Sequence, residues 1–99
     1  MLDIKKSTDG GNVYFSLSGR VDTGTAPELD KELKASIDGV TDLKLDMLKV
    51  DYISSAGLRV LLSAQKIMNK QGKMTILNAN ETVMEIFEVT GFSDILNIG

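Results

Sequence analysis

The sequence predicts an α/β domain in which an N-terminal β-hairpin leads into alternating helices and strands. Three observations carry this prediction. Apolar residues alternate with polar ones on either side of a glycine-containing turn at residues 8–12. Three later segments carry apolar residues at three- and four-residue spacing, each opening near a residue suited to an N-cap. Short apolar runs lie between those segments, so strand and helix periods alternate, the order expected of a sheet with parallel members and right-handed crossovers.

The hairpin is expected between Ile4 and Leu17, with Thr8, Asp9, Gly10, Gly11 and Asn12 as turn formers able to supply positive φ. In its second strand Val13, Phe15 and Leu17 alternate with Tyr14, Ser16 and Ser18, so the odd positions face the core, and Gly19 ends the run. The run Thr25-Ala26-Pro27-Glu28 reads as a helix start in which Thr25 caps, Glu28 reaches back to the Thr25 amide, and Pro27 needs no amide partner. Leu29, Leu33 and Ile37 form the inward stripe, Lys31 and Lys34 lie on the other face, and Gly39 supplies a left-handed stop.

Leu43, Leu45 and Met47, continued by Val50, Tyr52 and Ile53, read as a buried strand running into a loop. A helix follows from Ala56 to about Lys70. Leu58, Leu61, Leu62, Gln65 and Met68 trace one side of it, while Val60, Ala64 and Ile67 widen the apolar surface, so neighbours should cover most of it. Lys66 and Lys70 suit its C-terminal end, and Gly72 terminates it. Residues 73–77 form a further strand, expected in the interior of the sheet. Asn78 or Asn80 then caps a helix carrying Val83, Ile86, Phe87 and Thr90, closed by Gly91, with a short apolar tail beyond; Met84 is either an exposed apolar contact or peripheral core.

Composition narrows the function. The 99 residues suit one domain, 1–99, with 42% hydrophobic and 25% charged residues, as in ordinary globular proteins. There is no cysteine, so disulfides and thiolate metal sites are excluded, and a reducing cytoplasmic setting fits. The N-terminal residues lack the apolar run of a signal peptide, and no stretch approaches the roughly 18 apolar residues of a membrane span. Histidine is also absent, which removes the commonest general base and metal ligand. A net charge of −3 supplies no basic excess for nucleic acid or anionic lipid, so a protein partner is expected.

The run Val50-Asp51-Tyr52-Ile53-Ser54-Ser55-Ala56-Gly57-Leu58-Arg59 places two serines where strand, loop and helix meet. A serine at a helix start has a structural use as a cap, worth about 1 kcal/mol. The same place suits a phosphate, because unpaired amides and the positive helix end favour an anion. Gly57 either lets another protein's backbone approach Ser55 or lets the helix pack closely on a strand. Arg59 can pair with a phosphate or an acidic partner, or stay solvated.

The run from Asp51 to Leu62 resembles the signature of STAS domains in bacterial anti-sigma-factor antagonists. The resemblance extends to Gly19-Arg20-Val21-Asp22, to Leu45-Asp46-Met47, and to the segment from Val89 to Leu96, so it covers nearly the whole chain. It implies a single STAS domain, a mixed and mostly parallel sheet of four to five strands flanked by helices. It also implies a phosphoacceptor, Ser55, at the start of the second helix, with Ser54 as a second candidate standing where many antagonists carry aspartate. In such families the unmodified antagonist binds an anti-sigma factor, often a serine-protein kinase, and frees the sigma factor. Phosphorylation blocks binding, and a metal-dependent serine phosphatase restores it. The resemblance implies no cofactor, no metal and no catalytic residue, with the domain as substrate and ligand.

Asp22 and Thr23 resemble the family's acidic loop beside the phosphoacceptor, and Asp46 is expected to end the central strand nearby. With Ser54, Ala56, Gly57 and Arg59 they form the expected partner-binding set. For Asp22, Thr23 and Asp46 a purely local role, making a turn or satisfying backbone, stays open. Two other readings stay open at this level: a constitutive adaptor in a larger signalling assembly with Ser55 only a cap, and an enzyme with Ser55 as nucleophile, for which no histidine or cysteine is present to assist.

Overall fold

In a computed structural model, which describes residues 2–99, the elements run β1 (Leu2–Asp9), β2 (Asn12–Val21), α1 (Ala26–Ser36), β3 (Asp42–Ile53), α2 (Ser55–Gln71), β4 (Lys73–Leu77), α3 (Glu81–Thr90) and a 3-10 turn, Phe92–Asp94. One sheet has the order β1-β2-β3-β4, with β1 and β2 antiparallel and the remaining pairs parallel. This is the mixed, mostly parallel α/β sheet with an N-terminal hairpin that the sequence predicts. The hairpin turn is tighter than expected: Asp9 pairs with Asn12, leaving Gly10 and Gly11 at the tip, with Gly10 at φ 60°.

Both crossovers advance the same way across the sheet, and right-handed connections then set α1 and α2 on one face. Burial agrees. Val13, Phe15, Leu17, Leu43, Leu45, Met47, Met74 and Ile76 are buried, while their alternates Tyr14, Ser16, Ser18, Lys44, Asp46, Thr75 and Leu77 keep solvent contact. The core is therefore a single layer between sheet and helices, entered by Leu29 and Leu33 of α1, Leu58, Leu61 and Met68 of α2, and Val83 and Phe87 of α3. Met84 is partly buried against this core, which is the peripheral-core alternative.

Four expectations need correction. Gly19 does not end β2; the strand continues to Val21, and Gly19 lies beside one of two register shifts, at φ 114°. Between Ser16 and Ser18, and again between Gly19 and Arg20, β3 carries one more residue than β2. Each extra residue turns the strand over, so burial passes from Met47 to Val50 to Ile53, and Tyr52 is left 37% exposed instead of in the core. Third, β4 is an edge strand, not an interior one. The tail closes its free side, since the Ile76 amide donates to Asn97 O and the Gly99 amide to Ile76 O, each at 2.9 Å. Finally, Thr25 has helical angles (φ −101°, ψ −21°) and makes no side-chain cap to α1, because a cap needs extended backbone to swing its oxygen over the next amides.

The other boundaries follow their residues. Asn80, in extended conformation, accepts from Val83 N at 2.9 Å and so is the cap of α3, while Gly91 closes that helix at φ 80°. Gly72 ends α2 for a steric reason: a Cβ there would lie 1.9 Å from Thr41 O, so only glycine lets the chain turn under the start of β3. No helix among the described residues is long and apolar enough to cross a membrane.

Candidate functional site

The two serines at the tip of α2 have different situations. Ser54 is extended (φ −91°, ψ 174°); its amide donates to Val21 O at 2.8 Å and its carbonyl accepts from Leu58 N at 2.9 Å. Its Oγ accepts from Gly57 N at 3.3 Å, so the Ser54 hydroxyl is engaged as the N-cap. Ser55 is the first helical residue and is exposed, and its hydroxyl has no hydrogen-bond partner among the described residues. The Ser55 and Ala56 amides, which precede the first intrahelical bonds, have no acceptor among the described residues. The first turn carries no acidic residue, so this 17-residue helix has no charge of its own to offset its positive end.

Beside this tip stands the β2–α1 turn, tied to it by the Ser54 to Val21 bond. Asp22 Oδ1 accepts from the amides of Gly24 and Thr25, each at 3.0 Å. Thr25 Oγ1 accepts from Asp22 N at 2.9 Å and donates to Arg20 O at 2.7 Å. The Asp22 carboxyl is held below the usual carboxylate range, chiefly by the Thr25 amide, with the Thr25 hydroxyl, the Gly24 amide and Arg20 adding to it against partial desolvation. Asp22 thus organises its own turn and still presents its second oxygen, with Arg20 Nε 3.8 Å away. Thr23 is exposed at the turn's crest.

Arg59 is exposed and forms no ion pair among the described residues. It lies four residues after Ser55, the spacing that makes helix side chains surface neighbours. Ala56 is half-buried. Gly57 is buried: a Cβ on it would stand 2.6 Å from Val21 Cγ1 and 2.8 Å from Ile53 Cγ1. Of its two readings, close packing of helix on strand is the one realised, and Gly57 offers no surface to a partner.

Asp46 is not near this tip. It lies mid-strand in β3, seven residues before Ile53, which at the strand rise of about 3.3 Å per residue is roughly 20 Å away. It belongs to a polar cluster on the open sheet face. There it accepts from the Tyr14 hydroxyl, from Leu48 N at 3.0 Å and from Asn78 Nδ2 at 3.2 Å. Desolvation pushes its carboxyl upward, but the bonds from Tyr14, Leu48 and Asn78 outweigh it and leave the group below its ordinary value; the Tyr14 hydroxyl is raised in turn, first by that hydrogen bond. Asp46 therefore satisfies local groups.

Two residues of the tip had no role assigned from sequence. Arg20 pairs with Tyr52 in the β2–β3 register, and its guanidinium carbon lies 4.7 Å from the Tyr52 ring centroid. The two bulges together bring them face to face, and an unbroken two-residue period gives no sign of it. Arginine and tyrosine are the residue types that most often anchor protein interfaces.

BtrV of Bordetella bronchiseptica, provisionally named an anti-sigma factor antagonist, is 39% identical over 90 residues, covering 89% of this chain and 78% of BtrV. An anti-sigma factor antagonist from Mycobacterium paratuberculosis shares the fold at a TM-score of 0.89 with 21% identity, covering 99% of this chain and 85% of the other. The Bacillus cell fate determinant SpoIIAA in its phosphorylated form aligns at a TM-score of 0.76 with 16% identity, covering 98% and 91%. The model of the STAS domain matches residues 3–99, through both bulges, the serine tip and the tail, and this chain belongs to the STAS domain family.

Proposed function

We propose that this chain is an anti-sigma-factor antagonist whose unmodified α2 tip binds an anti-sigma factor of the serine-kinase type, and that phosphorylation of Ser55 switches the binding off. One observation carries the choice of residue: the Ser54 hydroxyl is spent on the Gly57 amide, while the exposed Ser55 hydroxyl is spent on nothing among the described residues. The cap role that a constitutive adaptor would give Ser55 is thus filled by its neighbour. Relatives named as anti-sigma factor antagonists, and a phosphorylated SpoIIAA of the same fold, support the reading.

The chain acts in this scheme as substrate and ligand, in the cytoplasm where its kinase works. The kinase transfers the γ-phosphoryl group of ATP to Ser55 Oγ, the serine proton leaves to a base of the kinase, and ADP departs. A metal-dependent serine phosphatase reverses the state by hydrolysis. The product carries about −1.5 to −2 charges against two open amides, with Arg59 one helical turn on, so the domain stays folded. Asp22, Thr23, Arg20 and Tyr52 frame the docking surface. A dianion set into that surface costs desolvation and repulsion of about 2–5 kcal/mol, roughly a 30-fold to several-thousandfold loss of affinity.

Incubation with ATP and the kinase-type anti-sigma factor, followed by intact mass measurement, tests this. Wild type and Ser54→Ala gain one phosphate and Ser55→Ala gains none; capture of the kinase from native cells is lost with Ser55→Asp. Phosphate on Ser55→Ala, or equal capture by wild type and Ser55→Asp, refutes the proposal.

A further inference from the structure

The sheet has two edges, and among the described residues only one of them is closed. The tail covers β4, whereas among the described residues no backbone bond reaches the outer side of β1, an eight-residue strand. An open edge of that length is a template for another strand. Which groups it presents follows from the hairpin. The two-residue turn makes Asp9 and Asn12 a mutually bonded pair, so odd residues of β1 bond inward to β2, while Leu2, Ile4, Lys6 and Thr8 point their amides and carbonyls outward.

Side chains add a second constraint. Asp3 and Lys5 lie on the open sheet face, opposite Ser18 and Ser16, and neither forms an ion pair among the described residues. Ile4 lies on the helix-covered face, half-buried at the rim of the core. Two copies joined edge to edge by a two-fold axis normal to the sheet keep their faces aligned, so residues of one parity meet residues of the same parity. Centring on Lys5 or Lys6 sets that lysine against its own copy, which like-charge repulsion disfavours. Centring on Ser7 leaves only Lys6 with Thr8 and Thr8 with Lys6 as bonded pairs.

Centring on Ile4 satisfies every requirement. Leu2 bonds Lys6 of the second copy, Ile4 bonds Ile4, and Lys6 bonds Leu2, so all outward groups from Leu2 to Lys6 are used. The two isoleucines meet on the covered face. Asp3 stands opposite Lys5 of the second copy, and Lys5 opposite Asp3, at the non-bonded positions where facing side chains approach most closely. We propose that β1 is a homodimerisation edge, two copies pairing β1 to β1 antiparallel about Ile4 with reciprocal Asp3–Lys5 contacts.

Sedimentation equilibrium of the purified chain across micromolar to millimolar concentration tests this independently of any phosphorylation. Reversible monomer–dimer behaviour is expected. Asp3→Lys and Lys5→Asp each turn two attractions into two repulsions and weaken association by roughly tenfold or more. The double variant Asp3→Lys/Lys5→Asp restores it. Lys6→Pro removes an outward amide without touching the β2 ladder and abolishes the dimer with the fold retained by circular dichroism. A monomer at every concentration, or a dimer indifferent to the charge variants, overturns the proposal.

Discussion

Substituting Gly57 by alanine tests how α2 is seated against β2, on which the whole tip depends. The new methyl carbon would stand 2.6 Å from Val21 Cγ1, 2.8 Å from Ile53 Cγ1 and 3.1 Å from Val21 O. Carbon atoms pack best at about 3.5–4.0 Å, so the helix start must withdraw by about 1 Å. Val21 and Ile53 are 0% and 1% exposed and cannot move aside, and the withdrawal stretches the 2.8 Å bond from Ser54 N to Val21 O. Overpacking of this kind costs about 1–3 kcal/mol, while replacing glycine in a helix returns at most about 1 kcal/mol. The stretched bond adds about 0.5–1.5 kcal/mol, so the net loss of about 0.5–3.5 kcal/mol lowers the thermal midpoint of a domain this size by roughly 2–25 °C.

Thermal and urea denaturation of Gly57→Ala, Val21→Ala and the double variant form the assay. Val21→Ala removes the nearest clashing atom, so the double variant should lose at least about 1 kcal/mol less than the sum of the singles. Strict additivity, or an unchanged midpoint in Gly57→Ala, would refute the packing argument and return Gly57 to the partner-facing role.

Ser55→Asp adds a negative charge to a helix start that has none, so the isolated domain should gain about 0.3–1 kcal/mol, an increment that shrinks as salt rises in thermal melts; a lower midpoint would contradict the open-amide geometry. Asn80→Ala removes both the cap to Val83 N and the 2.7 Å bond to Val50 O, and should cost about 2 kcal/mol in urea unfolding, where loss of an ordinary surface residue costs under about 0.5 kcal/mol. The Asp22 carboxyl is depressed in the folded state, so its contribution is present above the unfolded carboxylate value of about 3.9 and is lost as pH falls through the lower folded value. Melts between neutral and acid pH should therefore show wild type losing more stability than Asp22→Asn, and parallel acid profiles would contradict a carboxylate held by the Gly24 and Thr25 amides.

Much of this molecule is written locally. The two-residue alternation of Val13, Phe15 and Leu17 names the buried face of β2, the four-residue recurrence of Leu29, Leu33 and Ile37 names that of α1, and glycine at 10 and 91 marks the positive-φ turns. These features depend on periodicity and backbone sterics within a few residues, so the chain alone states them. The meeting of strand, loop and helix at Ser54 and Ser55 is legible for the same reason, and so is the resemblance that runs through it.

What escaped the linear reading required a neighbouring strand or helix. The two bulges in β3 exist only relative to β2, and they expose Tyr52, set Arg20 against its ring and bury Val50 in place of its neighbours. Asp46 looked close to the serines because it lies near them in sequence, yet an extended strand separates them by its length. Gly57 and Gly72 are glycines because Val21 and Thr41, distant in sequence, occupy the space a side chain would need. Which serine is free was likewise decided in three dimensions: the Ser54 amide is fastened to Val21, which fixes its hydroxyl over Gly57 and leaves that of Ser55 facing water. Period and turn chemistry are properties of a short stretch of chain, whereas steric exclusion and register belong to pairs of stretches, and only packing brings those pairs together.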